Sequence, residues 1–225
     1  MGNYNRNEYS INQDVKDPSL RRFLKESFAT AVLIGSSLPF LTGCEDSPNH
    51  NFGDNDSNIV LALGDSITLG DSAINAVYPD KLEELIGKNV INVGRCGETS
   101  VGGAGRVSGL LTACKPGYLA VMYGTNDAHF GVDYETSKTN LRTIIQTAQN
   151  QQTRVIIGTA IPHPARNSHI IALNQIIRNL ASEEGASLAD VYNAFEFYNP
   201  TLYANAVHPN EAGCNVIARC FADRF

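Results

Sequence analysis

From residue 59 onward, short apolar runs bounded by turn residues alternate with longer amphipathic stretches, and this alternation constrains the fold more than any single motif. IVLAL (59–63), NVINV (89–93), YLAVMY (118–123), RVIIGTA (154–160) and SLADV (187–191) read as five buried strands. Among them, YPDKLEELI (78–86), YETSKTNLRTIIQTAQN (134–150), SHIIALNQIIRNLASEEG (168–185) and PNEAGCNVIARCFADRF (209–225) carry apolar residues at helical spacing. Pro79 and Pro209 suit first-turn positions, and Gly185 suits a helix C-terminus. Near-continuous apolar strands separated by helices predict an α/β domain whose parallel sheet is covered on both faces, since each crossover lays a helix against it. A chain of 225 residues, 43% of them hydrophobic, is long enough to bury that core in one domain. In such sheets ligands gather at the carboxyl ends of the strands, so chemistry is expected in the segments that follow each strand.

The first 58 residues do not share this pattern. Arg21, Arg22 and Lys25 precede FATAVLIGSSLPFL, an apolar run too short for a permanent bilayer span but suited to the centre of a signal peptide. It ends in Leu41-Thr42-Gly43-Cys44, which resembles the lipobox of bacterial lipoproteins. The resemblance implies a signal peptide over 1–43 and lipidation of Cys44, which would anchor the chain to a membrane of the bacterial cell envelope without spanning it. RRFLK also resembles a twin-arginine export signal, though it lacks the usual residue between the second Arg and Phe, so both export routes stay open. Residues 44–58 are polar and aperiodic and read as a flexible tether, leaving 59–225 as the folded domain.

A net charge of -6 and the absence of any Lys or Arg run argue against a nucleic-acid partner. An oxidising envelope permits disulfides among Cys96, Cys114, Cys214 and Cys220 in any of three pairings, with unpaired thiols as the alternative. Cys214 and Cys220 fall on different faces of one expected helix and are not expected to bond each other. No Cys-x-x-Cys or His-x-x-x-His spacing occurs, so no metal is expected.

The first expected strand is followed by GDSITLG, which puts Ser66 on a tight turn at the start of a helix. After the second comes NVGRCGETS, where Gly97 allows the backbone N–H to approach a ligand. The third is followed by GTND, with the Asn126 amide aimed at the same place, and His208 stands in NAVHPN before the last helix. Singly, each has an ordinary explanation: a helix cap, a glycine turn, an Asx turn, a loop histidine. Together they supply a nucleophile, oxyanion donors and a base on one edge of one sheet.

These segments resemble the four blocks of the SGNH, or GDSL, hydrolase family: Gly64-Asp65-Ser66, Gly97, Gly124-x-Asn126-Asp127 and the block ending His208-Pro209. The resemblance runs in order from residue 59 to 225 and implies a flavodoxin-like three-layer α/β/α sandwich around a five-stranded parallel sheet. It also implies ester hydrolysis without cofactor or metal. Ser66 takes the place of the nucleophile, His208 that of the general base, and the Ser66 N–H, Gly97 N–H and Asn126 side chain that of the oxyanion hole.

The departure is Asn205, where the family usually has an aspartate three residues before the histidine. Its carbonyl can accept a hydrogen bond from the ring but brings no charge, and in a serine triad Asp→Asn can cost about 10⁴ in turnover through the wrong imidazole tautomer. Three accounts fit: local geometry turns the Asn205 carbonyl to the ring, a main-chain carbonyl orients His208 instead, or the site is catalytically weak.

The expectation is a serine esterase, weakened by Asn205, that cleaves short-acyl or acetyl esters of envelope or extracellular carbohydrate or lipid through an acyl-Ser66 intermediate. A non-catalytic glycan-binding lipoprotein and an O-acyltransferase are the alternatives for the same cleft. Asp190 is another acid at a strand end, with an ordinary role capping the turn after the fifth strand. GGAGRVSG (102–109) lacks the third fingerprint glycine and any Gly-Lys-Ser/Thr, so it does not read as a nucleotide site. His129, His163 and His169 are assigned to loops.

Overall fold

A computed structural model describes residues 50–225. The expected signal peptide, the Leu41–Cys44 motif and the first part of the tether lie outside the described residues. Five strands form one sheet: β1 (Asp56–Gly64), β2 (Asn89–Asn92), β3 (Pro116–Met122), β4 (Arg154–Gly158) and β5 (Ser187–Ala189). Their spatial order is β2-β1-β3-β4-β5 and every pairing is parallel. All seven residues of β3 are buried, as a central strand sandwiched between helices requires.

The helices are α1 (Ser66–Leu69), α2 (Tyr78–Ile86), α3 (Ser100–Cys114), α4 (Thr125–Phe130), α5 (Tyr134–Asn150), α6 (Asn167–Glu183), α7 (Val191–Ala194) and α8 (Glu211–Ala222). Alternation along the strands divides the core. Val60, Ala120, Met122 and Ile156 join Tyr78 and Leu82 of α2 and Ile217 and Phe221 of α8 in one cluster. The intervening Leu61, Leu63, Leu119, Val121 and Ile157 are equally buried and face the other way. On that side α3 packs on β1, and α5 and α6 pack on β4. The result is the expected three-layer α/β/α arrangement.

Several boundaries differ from the sequence reading. Part of the stretch expected as tether is docked: Asn55 donates to the Gln151 carbonyl at 2.6 Å, Phe52 packs on Tyr118, and β1 starts at Asp56. The last helix begins at Glu211, not Pro209, because the Asn210 side chain caps it and Pro209 pairs with Tyr203 in an isolated bridge. His129 and His169 lie on α4 and α6, whereas His163 is in a loop. Helix α3 was not anticipated, since its four glycines hide an apolar face that only Val107 and Leu111 mark. All four cysteines described are free, including Cys214 and Cys220, which share α8.

Candidate active site

Asp65 sits at the end of β1 and its carboxylate accepts the Ile67 N–H at 2.9 Å, capping α1. Because Asp65 does the capping, the Ser66 hydroxyl is available elsewhere: its Oγ lies 3.0 Å from His208 Nε2, across 142 residues of sequence. At the end of β2 the chain turns through Gly97, whose φ of +71° is the left-handed conformation that disfavours a side chain. Asn126, in the first turn of α4, donates from Nδ2 to the Glu98 carbonyl at 3.1 Å and lies 3.4 Å from the Asp65 carboxylate. Its amide therefore sits between the glycine turn and the root of the nucleophile.

The neighbouring Asp127 holds this arrangement from beneath. It accepts the Ser100 N–H at 3.0 Å, the Ser100 hydroxyl at 2.5 Å and the Ser137 hydroxyl at 3.0 Å, which ties α4 to the starts of α3 and α5. Burial pushes the Asp65 carboxyl up to about 7; the Ile67 N–H opposes that rise, and the charges of Asp127 and Glu98 add to it.

The histidine loop folds back on itself: the Ala204 N–H bonds the His208 carbonyl at 2.9 Å and the Asn210 N–H bonds Leu202 at 3.0 Å. Within it, Asn205 Oδ1 accepts the Val207 N–H at 3.0 Å and the His208 N–H at 2.9 Å, and faces His208 Nδ1 at 3.2 Å. Two main-chain donors converge on one side-chain atom, so that atom must be the oxygen and not the amide nitrogen. An oxygen opposite Nδ1 requires the ring proton there, which leaves Nε2 as the acceptor facing Ser66. Of the three accounts of Asn205, the coordinates match the first, in which the carbonyl points at the ring.

A cavity of about 240 Å³ opens beside this pair, lined by Ser66, Ile67, Leu69, Ile74, Ala204 and His208 among others. One wall is the 70–77 loop, closed by an Asp71–Ala76 bridge and tied to α8 where Asn75 Nδ2 donates to the Glu211 carboxylate at 2.5 Å. Cys96, considered in the sequence as a disulfide partner, also lines the cavity. Asp190 is engaged elsewhere: it caps α7 and pairs with Arg178 at 2.9 Å. Among the described residues no group of three or more His, Cys, Asp or Glu side chains could hold a metal ion.

Sequence reading missed three polar residues at this edge, Glu98, Arg106 and Tyr123, which hydrogen bond one another. Only Glu98, directly after Gly97, carried a positional hint. Chemically, a hydroxyl against an unprotonated imidazole nitrogen, next to amide donors, can attack an acyl carbon.

Residues 62–216 match the model of the GDSL-like lipase/acylhydrolase family. The esterase TesA of Pseudomonas aeruginosa is 25% identical over 122 residues, which covers 53% of this chain and 61% of that protein. The chain thus spans less than two thirds of that relative's length. The thioesterase 1/protease 1/lysophospholipase L1 of Escherichia coli is 25% identical over 161 residues, covering 68% of this chain and 76% of that protein. Among solved structures, the acetylxylan esterase Axe2 of Geobacillus stearothermophilus shares the fold with a TM-score of 0.65 at 21% identity, over 76% of this chain and 94% of that one. By a family match across most of the described domain and a fold shared with its relatives, the chain belongs to the GDSL-like lipase/acylhydrolase family.

Proposed function

We propose that this chain is a serine esterase acting on short-acyl esters of uncharged alcohols such as carbohydrates. The observation that carries the proposal is the relay Asn205 Oδ1, His208 Nδ1, His208 Nε2, Ser66 Oγ, with spacings of 3.2 Å and 3.0 Å at its two hydrogen bonds. Ser66 Oγ attacks the ester carbon while its proton passes to His208 Nε2, and the carbonyl oxygen becomes an oxyanion held by the N–H groups of Ser66 and Gly97 and by the Asn126 amide. As the tetrahedral species collapses, the C–O bond to the alcohol breaks and His208 returns the proton to the departing oxygen. A water then repeats the sequence on the acyl-serine, releasing the acid and restoring the hydroxyl.

The cavity supports a small acyl group. Its volume of about 240 Å³ lies below the roughly 300–1,000 Å³ of clefts that take drug-sized ligands, and among the described residues no Lys or Arg lines it. The lipobox-like Leu41–Cys44 after a basic and apolar segment supports attachment to a membrane of the cell envelope through a lipid on Cys44, where acylated glycans and lipids are both within reach. Cys44→Ser is expected to move the protein from the membrane to the soluble fraction.

The deciding measurement is hydrolysis of 4-nitrophenyl acetate and butyrate by the protein and by Ser66→Ala. Turnover that disappears in the variant is expected; equal rates would overturn the assignment and leave a glycan-binding role for the cleft.

A further inference from the structure

Behind the glycine turn lies a polar cluster that neither the nucleophile nor the base touches. The Glu98 and Arg106 side chains are only 10% and 13% exposed. Arg106 Nε reaches the two carboxylate oxygens at 2.9 and 3.0 Å, a terminal amine adds a further bond, and the Tyr123 hydroxyl donates to the same carboxylate at 2.6 Å. Burial first, and then the Glu98 contact, hold the Tyr123 phenol above its usual range, so it remains a donor. An ion pair this buried adds little to stability, because desolvation offsets the attraction.

Its placement suggests a different use, since its members stand at the roots of three of the four sequence blocks. Glu98 follows Gly97, and its main-chain carbonyl accepts the Asn126 amide at 3.1 Å. Tyr123 immediately precedes the Gly124–Asn126 segment. Arg106, carried by α3, reaches the carbonyl of Gly64, two residues before Ser66, at 3.5 Å. Helix α3 comes close enough because of Gly103, where an added Cβ would stand 2.6 Å from the Tyr123 ring.

We propose that Glu98, Arg106 and Tyr123 form a positioning brace for the oxyanion donors, holding the Gly97 and Asn126 amides in register with Ser66. Arg106 also neutralises a carboxylate that would otherwise oppose the negative charge developing on the substrate oxygen. The brace rests on the ester-hydrolase reading above. Its three residues touch no substrate and act through the loops they hold.

The test combines steady-state kinetics on 4-nitrophenyl butyrate with inhibition by a short alkyl trifluoromethyl ketone, to which Ser66 adds to give an anionic hemiketal. Arg106→Met is expected to lower kcat by about 10²-fold, the scale of a 1 Å misplacement, with KM nearly unchanged. Ketone inhibition should weaken by a similar factor. Arg106→Lys should recover part of both, since an ammonium keeps the charge but not the forked grip. A purely structural role would lower the amount of active enzyme and so the apparent kcat, yet leave the inhibition constant unmoved, and that result overturns the brace. If Arg106→Met does not fold, Arg106→Lys and Tyr123→Phe carry the same test: a severalfold weakening of the inhibition constant supports the brace, and an unchanged one overturns it. Turnover that survives Ser66→Ala would sink the hydrolase reading itself, whereas Ser66-dependent turnover with unshifted inhibition in the brace variants sinks the brace alone.

Discussion

The two sides of Ser66 are built differently. On the donor side, the supporting groups are carboxylates inside the fold: Asp65 and Asp127 are 2% and 1% exposed, and each accepts from main-chain N–H groups. On the base side, the supporting group is a neutral amide on an exposed loop, Asn205, and it too is fixed by main-chain donors. Buried carboxyl groups therefore support the donor scaffold, while the histidine is oriented by an exposed neutral amide. The tautomer of an imidazole can be set without a carboxylate, provided the backbone dictates which amide atom faces the ring.

The strongest way to break this comparison is Asn205→Ala. The change removes the only hydrogen-bond partner of Nδ1 among the described residues, and the ring is then free to turn or to carry its proton on Nε2. A fall in kcat of about 10³-fold, or roughly 4 kcal/mol of barrier, is expected, somewhat below the loss in a charged triad. Because the residue is exposed, the melting temperature should hardly move. Asp127→Asn tests the opposite side and should give the opposite pattern. Its amide NH₂ would either confront the Ser100 N–H, donor to donor, or face the two serine hydroxyls, which must then give up the bonds they donate and turn to accept. The expected cost is about 2–3 kcal/mol of stability, or roughly 5–10 °C in Tm for a domain of this size.

Asn205→Asp sharpens the comparison by adding the missing charge in the same place. Its carboxylate can accept the same two main-chain N–H groups and the ring N–H, so the geometry is kept while the imidazolium gains a counter-charge. The expected gain in kcat is about tenfold, or roughly 1.4 kcal/mol, far less than 10⁴ because the tautomer is already correct. A gain near 10⁴ would mean that the Asn205 carbonyl does not hold the ring in solution.

Strand periodicity made the layers legible, and the residues after each strand made the reacting groups legible, because both depend on short local patterns. Helix α3 escaped because glycines at 102, 103, 105 and 109 dilute its apolar face, which is recognisable only once the sheet it covers is known. The partners of Glu98 lie 8 and 25 residues away, a separation at which one sequence offers no pairing signal. Asn205 was legible as a departure, but the direction of its carbonyl was not, since that depends on a loop closed by the Ala204–His208 and Leu202–Asn210 bonds. Residues 50–58 looked like a linker because their polar side chains are the ones that bind Gln151, Gln152 and Thr153 on the domain surface.

The last test concerns the charge on Asp65 and is read through pH. Its carboxyl is pushed from 3.8 up to about 7, chiefly by burial, so between those values the unfolded chain releases a proton that the folded chain retains. Stability from this group is full below about pH 4, declines as pH rises, and is lost once pH passes about 7. Asparagine caps a helix as well as aspartate, so Asp65→Asn keeps the bond to Ile67 while removing the titration. Its NH₂ would meet the Asn126 amide, which adds a cost that does not vary with pH. The melting temperature of the variant relative to the parent should therefore climb between pH 4 and 7 and level off above about 8. A difference that stays constant over that range would show that Asp65 ionises as readily in the fold as in the open chain, so that burial on the donor side would carry no electrostatic cost and its contrast with the exposed base side would reduce to position alone.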